Sequence, residues 1–92
     1  MLRVEYTGQF KKDYKLALKR NYDIDELVKV INILSNEEVL PEKYRDHALI
    51  NYTKNSNVRE CHIKPDWLLI YKKYPDRLVL ELLRTGTHSD LF

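Results

Sequence analysis

Apolar and polar residues change their spacing along the chain, and the changes mark the elements. Leu2, Val4 and Tyr6 alternate with Arg3 and Glu5, the period of a short half-buried strand over 2–6. Thr7-Gly8 then leads into helical spacing, with Phe10, Tyr14, Ala17 and Leu18 on one stripe. Asn21-Tyr22-Asp23 ends that helix and opens another. Asp23 is a good N-cap, Glu26 stands where a capping box needs it, and Tyr22 and Leu27 occupy the places of a hydrophobic staple. Ile24, Leu27, Ile31 and Leu34 continue one apolar face until Ser35-Asn36. Two short helices joined by a tight turn read as a helical hairpin.

Residues 37–46 are polar, contain Pro41 and read as a loop. After it the spacing is that of strands. Expected strands cover 48–52, 58–64, 67–73 and 78–85, separated by turn chemistry at 53–57, Pro65-Asp66 and 74–77, and closed by Gly86. The last three form an antiparallel meander. A helical hairpin packed on one face of that sheet buries both apolar surfaces. The class is α+β: two N-terminal helices on a small, mainly antiparallel β-sheet.

Ninety-two residues support one domain, spanning 1–92. The 43% hydrophobic content is that of a folded chain and not of a disordered one. The single cysteine, Cys61, rules out an intrachain disulfide and a cysteine-based zinc cluster. Charges fall within the first five residues, which does not suit a signal peptide. The longest apolar run, 67–71, is too short to span a bilayer. The expectation is a cytoplasmic protein with no membrane partner. The net charge of +2 says little, but its distribution is uneven. Residues 1–20 hold six Lys/Arg against two Asp/Glu, 21–42 one against six, and 43–92 nine against six. A polyanion suits the two basic segments; three solvated faces are the plainer account.

In the stretch 58–64, alternation puts Cys61, Ile63 and Arg59 on one face and Glu60, His62 and Lys64 on the other. The Cys61 and Ile63 face suits the core, so His62 points away from the helices. One such histidine is unremarkable on a surface. Three are more informative: His47, His62 and His88 each lie at an element boundary or on the free face of the sheet. Each also has a carboxylate close by in sequence: Asp46, Glu60 or Asp66, and Asp90. Imidazole suits proton transfer near neutral pH, and two of them across a phosphodiester can cleave it without a metal or other cofactor. A three-histidine metal site competes with this, but the spacing lacks the usual zinc separations. Trp67 fits the core or the flank of the cluster. Phe92 fits a sheet edge or a stack on a base. Arg84 continues the alternation of Leu78, Leu80 and Leu82, an awkward place for a charge; near the strand end it can reach a phosphate or a carboxylate.

The segments Tyr44-Arg45-Asp46-His47-Ala48-Leu49, 59–71 with its His62-Ile63-Lys64-Pro65-Asp66-Trp67, and 84–92 with its Gly86-Thr87-His88-Ser89-Asp90-Leu91-Phe92 resemble those of YafQ toxins. These belong to the RelE/ParE superfamily of bacterial type II toxin–antitoxin systems. Tyr6-Thr7-Gly8-Gln9-Phe10-Lys11-Lys12-Asp13 is similar too. The resemblance implies a RelE-like fold and a ribosome-dependent mRNA endonuclease that inhibits translation and is held inactive by a cognate antitoxin. The family's functional positions fall on His47, His62, Asp66, Trp67, His88 and Phe92. Two departures stand out. Residues 51–55 replace a shorter glycine-containing turn, and Lys64 replaces an acidic residue. On this reading His88 is the general acid, His47 or His62 the base, and Asp66 orients an imidazole. Trp67, Arg84, Phe92 and Lys64 are the expected substrate-binding residues. The antitoxin is expected to present acidic groups to the basic helix over 9–20. The rival function is a non-catalytic ParE-like toxin that binds DNA gyrase.

Overall fold

The computed structural model describes residues 1–49 and 57–92. Strand β1 is Arg3–Tyr6, followed by helices α1, Gly8–Lys19, and α2, Ile24–Ser35. A single 3-10 turn at Glu42–Tyr44 precedes the short strand β2, His47–Ala48. Strands β3, Val58–Lys64, β4, Trp67–Tyr74, and β5, Val79–Gly86, follow, and a four-residue helix α3, His88–Leu91, ends the order. Most of the expected strand over 48–52 and of the turn at 53–57 lies outside the described residues.

Local chemistry sets the helix ends. The Thr7 hydroxyl oxygen accepts from Phe10 N at 2.9 Å and caps α1, while the same hydroxyl donates to the Leu83 carbonyl at 2.8 Å. One side chain thus starts the helix and ties it to β5. Asn21, at φ 57°, turns the chain out of α1 in the left-handed conformation that asparagine tolerates. Asp23 caps α2 by accepting from Glu26 N at 3.2 Å. The reciprocal half of the expected capping box is absent among the described residues: Glu26 accepts instead from the hydroxyl of buried Tyr44.

The sheet runs β1-β5-β4-β3-β2. The meander β3-β4-β5 is antiparallel as expected, and β2 pairs antiparallel with β3. Strand β1 is parallel to β5, from Arg3 opposite Val79 to Tyr6 opposite Leu82. The helical layer buries Phe10, Ala17, Leu27, Val30 and Leu34 against Cys61, Leu69, Tyr71, Leu80 and Leu82 of the sheet. Central strand β4 is buried at every position from Trp67 to Tyr71, which explains why it reads as an unbroken apolar run.

Two irregularities rephase the strands. One lies between Ile70 and Tyr71 in the β4–β5 ladder, where Tyr71 pairs with Leu82 but Ile70 pairs with Arg84. Leu83 is the extra residue, so Arg84 leaves the core face that alternation assigned to it. The other lies between His62 and Lys64: His62 pairs with Leu68, and Lys64 pairs with Trp67. It carries Lys64 off the face it was expected to share with His62.

Candidate active site

The three histidines arrive from three elements. His47 begins β2, His62 lies near the end of β3, and His88 opens α3. Their rings form one row, with centroids 6.2 Å apart for His47 and His62 and 6.0 Å apart for His62 and His88. The ring of Phe92, one helical turn on from His88, lies 6.5 Å from it and is exposed.

Backbone carbonyls orient two of the rings. His47 Nδ1–H donates to the Arg45 carbonyl at 2.6 Å, and His62 Nδ1–H donates to the Pro65 carbonyl at 3.2 Å. A carbonyl only accepts, so the proton of each neutral ring sits on Nδ1 and Nε2 is left as the basic atom. Both Nε2 atoms face one carboxylate. Glu60 Oε1 is 3.3 Å from Nε2 of His47 and 3.7 Å from Nε2 of His62. Glu60 is 5% exposed, and His47 lies directly opposite it across the β2–β3 ladder. A proton or a metal cation at this point makes the contact of carboxylate and lone pairs attractive. One donor atom each from His47, Glu60 and His62 lies within 4.8 Å of the other two. This nitrogen and oxygen set suits a first-row divalent metal, which would supply Lewis-acid chemistry there.

His88 has its own carboxylate. Asp66 Oδ1 accepts from His88 Nδ1–H at 2.9 Å and from the His88 backbone N–H at 3.3 Å. These bonds from His88 hold the Asp66 carboxyl below its ordinary range, so it stays ionised and fixes the ring with Nε2 free.

Two carboxylates expected beside histidines serve the scaffold instead. Asp46 accepts from Arg59 Nε at 3.2 Å and from the Tyr71 hydroxyl. Asp90 closes a capping box with Thr87 and accepts from Arg20 Nη1 at 2.7 Å. That hydrogen bond from Arg20 is the main reason the Asp90 carboxyl is held down at about 2.

The four residues expected to bind substrate are placed differently from one another. Phe92 flanks the row. Trp67 is in the helix-side core, donating from Nε1 to Thr85 Oγ1 at 2.8 Å, with its ring tilted against Tyr22 at 4.9 Å. Lys64 faces Asp23 at 3.6 Å. Arg84 Nε donates to Asp13 Oδ2 at 2.8 Å, and Asp13 also accepts the Thr85 N–H beyond the point where β1 stops pairing. Glu60, which the sequence offered only as one of two carboxylates near His62, faces His47 as well.

Two helices on one side of a mainly antiparallel sheet, with a row of imidazoles and two carboxylates toward the other, define a small toxin domain of the class the sequence resembled. Residues 2–92 match the family model for YafQ, the bacterial toxin of a type II toxin–antitoxin system. The mRNA interferase toxin YafQ of Escherichia coli strain K12 is 46% identical over 90 residues, covering 97% of this chain and 94% of that one. Among solved structures, a metal-bound toxin from Helicobacter pylori is 42% identical, with a TM-score of 0.92 over 100% of both chains. The toxin in an E. coli DinJ–YafQ complex is 44% identical, with a TM-score of 0.87 over 100% of this chain and 99% of that one. The chain belongs to the YafQ family of type II toxins.

Proposed function

We infer that this chain is an mRNA interferase, an endoribonuclease that cuts mRNA on the ribosome by proton transfer between imidazoles and is silenced by a cognate antitoxin. The observation that carries the reading is the row of His47, His62 and His88, with centroids about 6 Å apart, Glu60 against the first two rings and Asp66 against the third. The activity of the E. coli relatives and the antitoxin complex of one of them support the substrate and the partner.

In this mechanism a ribose 2′-hydroxyl attacks the adjacent phosphorus in line. Nε2 of His47 or His62 takes the hydroxyl proton. His88, held at Nδ1 by Asp66, protonates the leaving 5′ oxygen from Nε2. The product carries a 2′,3′-cyclic phosphate or its hydrolysed form. Positioned acid–base groups typically supply about 10²–10⁴-fold in rate. Holding the 2′-oxygen in line with the leaving oxygen supplies much of the rest, and the ribosome does that better than an 11.1 kDa domain can. Exposed Phe92 beside His88 stacks on a base. Lys64 and Arg84 add positive potential toward the phosphates, although each already faces a carboxylate. Trp67 acts through packing, by fixing the strand that follows the Pro65-Asp66 turn.

The test is cleavage of mRNA on programmed ribosomes, with each histidine replaced by alanine in turn and 5′ ends mapped. Loss of cleavage in each folded variant, undiminished by chelator in the wild type, is the expected result. Uncut mRNA together with a DNA-damage response in cells would instead favour a gyrase-binding toxin. Cleavage lost to chelator and restored by a divalent metal would overturn the metal-free route.

A further inference from the structure

We propose that a cleft beside His62 is a subsite for one nucleotide of the RNA, and that Glu26 there selects a base bearing an amino group. The proposal rests on the RNA-cleavage reading above and goes beyond it by naming what the flanking nucleotide meets. The cleft lies between the first turn of α2, the turn at 42–45 and the end of β3. Its volume is about 310 Å³, at the small end of ligand pockets, which suits one nucleotide and not a stacked pair. His62 forms part of its wall, so the cleft shares one residue with the histidine row.

The lining is chemically uneven. Lys43, Arg45 and Lys64 ring the cleft, and Glu26 is its one acidic lining residue. Lys43, Arg45 and Lys64 are exposed, as phosphate-positioning cations need to be. Glu26 is half-buried and held in place: the hydroxyl of Tyr44, itself 1% exposed, donates to Oε1. No other hydrogen bond among the described residues reaches that carboxylate, so Oε2 keeps its acceptor capacity. The Tyr44 bond, with Lys29, Lys43 and Lys64 nearby, holds the carboxyl below its ordinary range and therefore charged.

A fixed, ionised acceptor recognises donors. Cytosine N4, adenine N6 and guanine N2 carry amino groups that a carboxylate accepts from. Uracil has no amino group; its one base-edge donor, N3–H, lies between two carbonyl oxygens, and O4 stands where cytosine has its amine. That oxygen would face the Glu26 charge. The cations hold the phosphates on either side, while Glu26 reads the base.

Two measurements test this. Purified toxin is titrated with AMP, CMP, GMP and UMP while backbone amides are followed by NMR. Shifts are expected at 26, 43–45 and 62–64, with UMP about tenfold or more weaker than CMP. Glu26→Gln keeps an acceptor for Tyr44 but puts an amide N–H donor where Oε2 stood, so the preference for CMP over UMP should be lost or reversed. In parallel, programmed ribosomes carrying all four bases around the cut are digested. The wild type should disfavour uracil at one flanking position by about tenfold, and Glu26→Gln should no longer disfavour it. Shifts elsewhere on the molecule, or the same base preference in both proteins, overturn the subsite. Base-selective shifts at the cleft without any RNA cleavage would leave the subsite standing and overturn the nuclease reading instead.

Discussion

At the scale of single residues, the site depends on what each imidazole leans on. His88→Ala removes the proposed acid, and cleavage on programmed ribosomes should fall by about 10²–10⁴-fold with an unchanged circular dichroism spectrum. Asp66→Asn keeps an acceptor for Nδ1–H but removes the negative charge that favours the charged ring. Its single-turnover rate should fall by about tenfold with an unchanged circular dichroism spectrum. An unchanged rate would mean that Asp66 acts only by shape. Alternation in 58–64 already put Glu60 and His62 on one face, so half of the Glu60 contact was legible in the sequence. The other half depends on the β2–β3 register, which sets His47 opposite Glu60 and which no local spacing encodes. Proximity in sequence misassigned Asp46 and Asp90 for the same reason: Arg59 and Arg20 reach them from other elements.

At the scale of elements, α3 is the piece that periodicity could not supply, because four residues carry no period. Its signals are its caps and its glycine. Gly86 has φ 159°, and a Cβ there would meet Asp90 Cβ at 3.0 Å. Gly86→Ala therefore requires α3 to give way by a few tenths of an ångström, which shifts His88 with it. We expect weakened cleavage and shifted resonances for 88–92, with the amides of β4 unaffected. The Arg20–Asp90 contact fastens the same helix, and its pH dependence has a definite sign. The Asp90 carboxyl is lowered from its ordinary 3.8 to about 2, so this contribution is complete above pH 4 and is lost as pH falls toward 2. Resonances of Phe92 followed by NMR should report α3 docked at pH 4 and released near pH 2. The strands were legible in number, apart from the residues the structure does not describe. Their phase was not, because one extra residue at Leu83 and another irregularity after His62 reset which side chains face the core.

At the scale of the whole molecule, the α+β class and the helical hairpin on a meander could be read directly from the two spacings. The parallel pairing of β1 with β5 could not, because nothing in four alternating residues specifies a partner about 76 positions away. That layer packing sets the stability. Leu27 is fully buried between the helices and the sheet, and Leu27→Ala should cost about 2–5 kcal/mol in urea unfolding. A loss well below that range would mean the layers repack. For association with an antitoxin, the cations of α1 (Lys11, Lys12, Lys15 and Lys19) should make affinity fall as salt rises. Binding indifferent to salt would separate the docking surface from this helix.

The pairing of β1 with β5 also governs when a newly made chain becomes dangerous. The residues of β1 leave the ribosome early and stay single until 79–82 have followed. The last imidazole of the row is later still, at position 88. On the nuclease reading proposed above, a half-synthesised chain therefore lacks the proposed acid, and activity comes as a single late event. An antitoxin already present in the cell has the whole of that interval in which to be waiting.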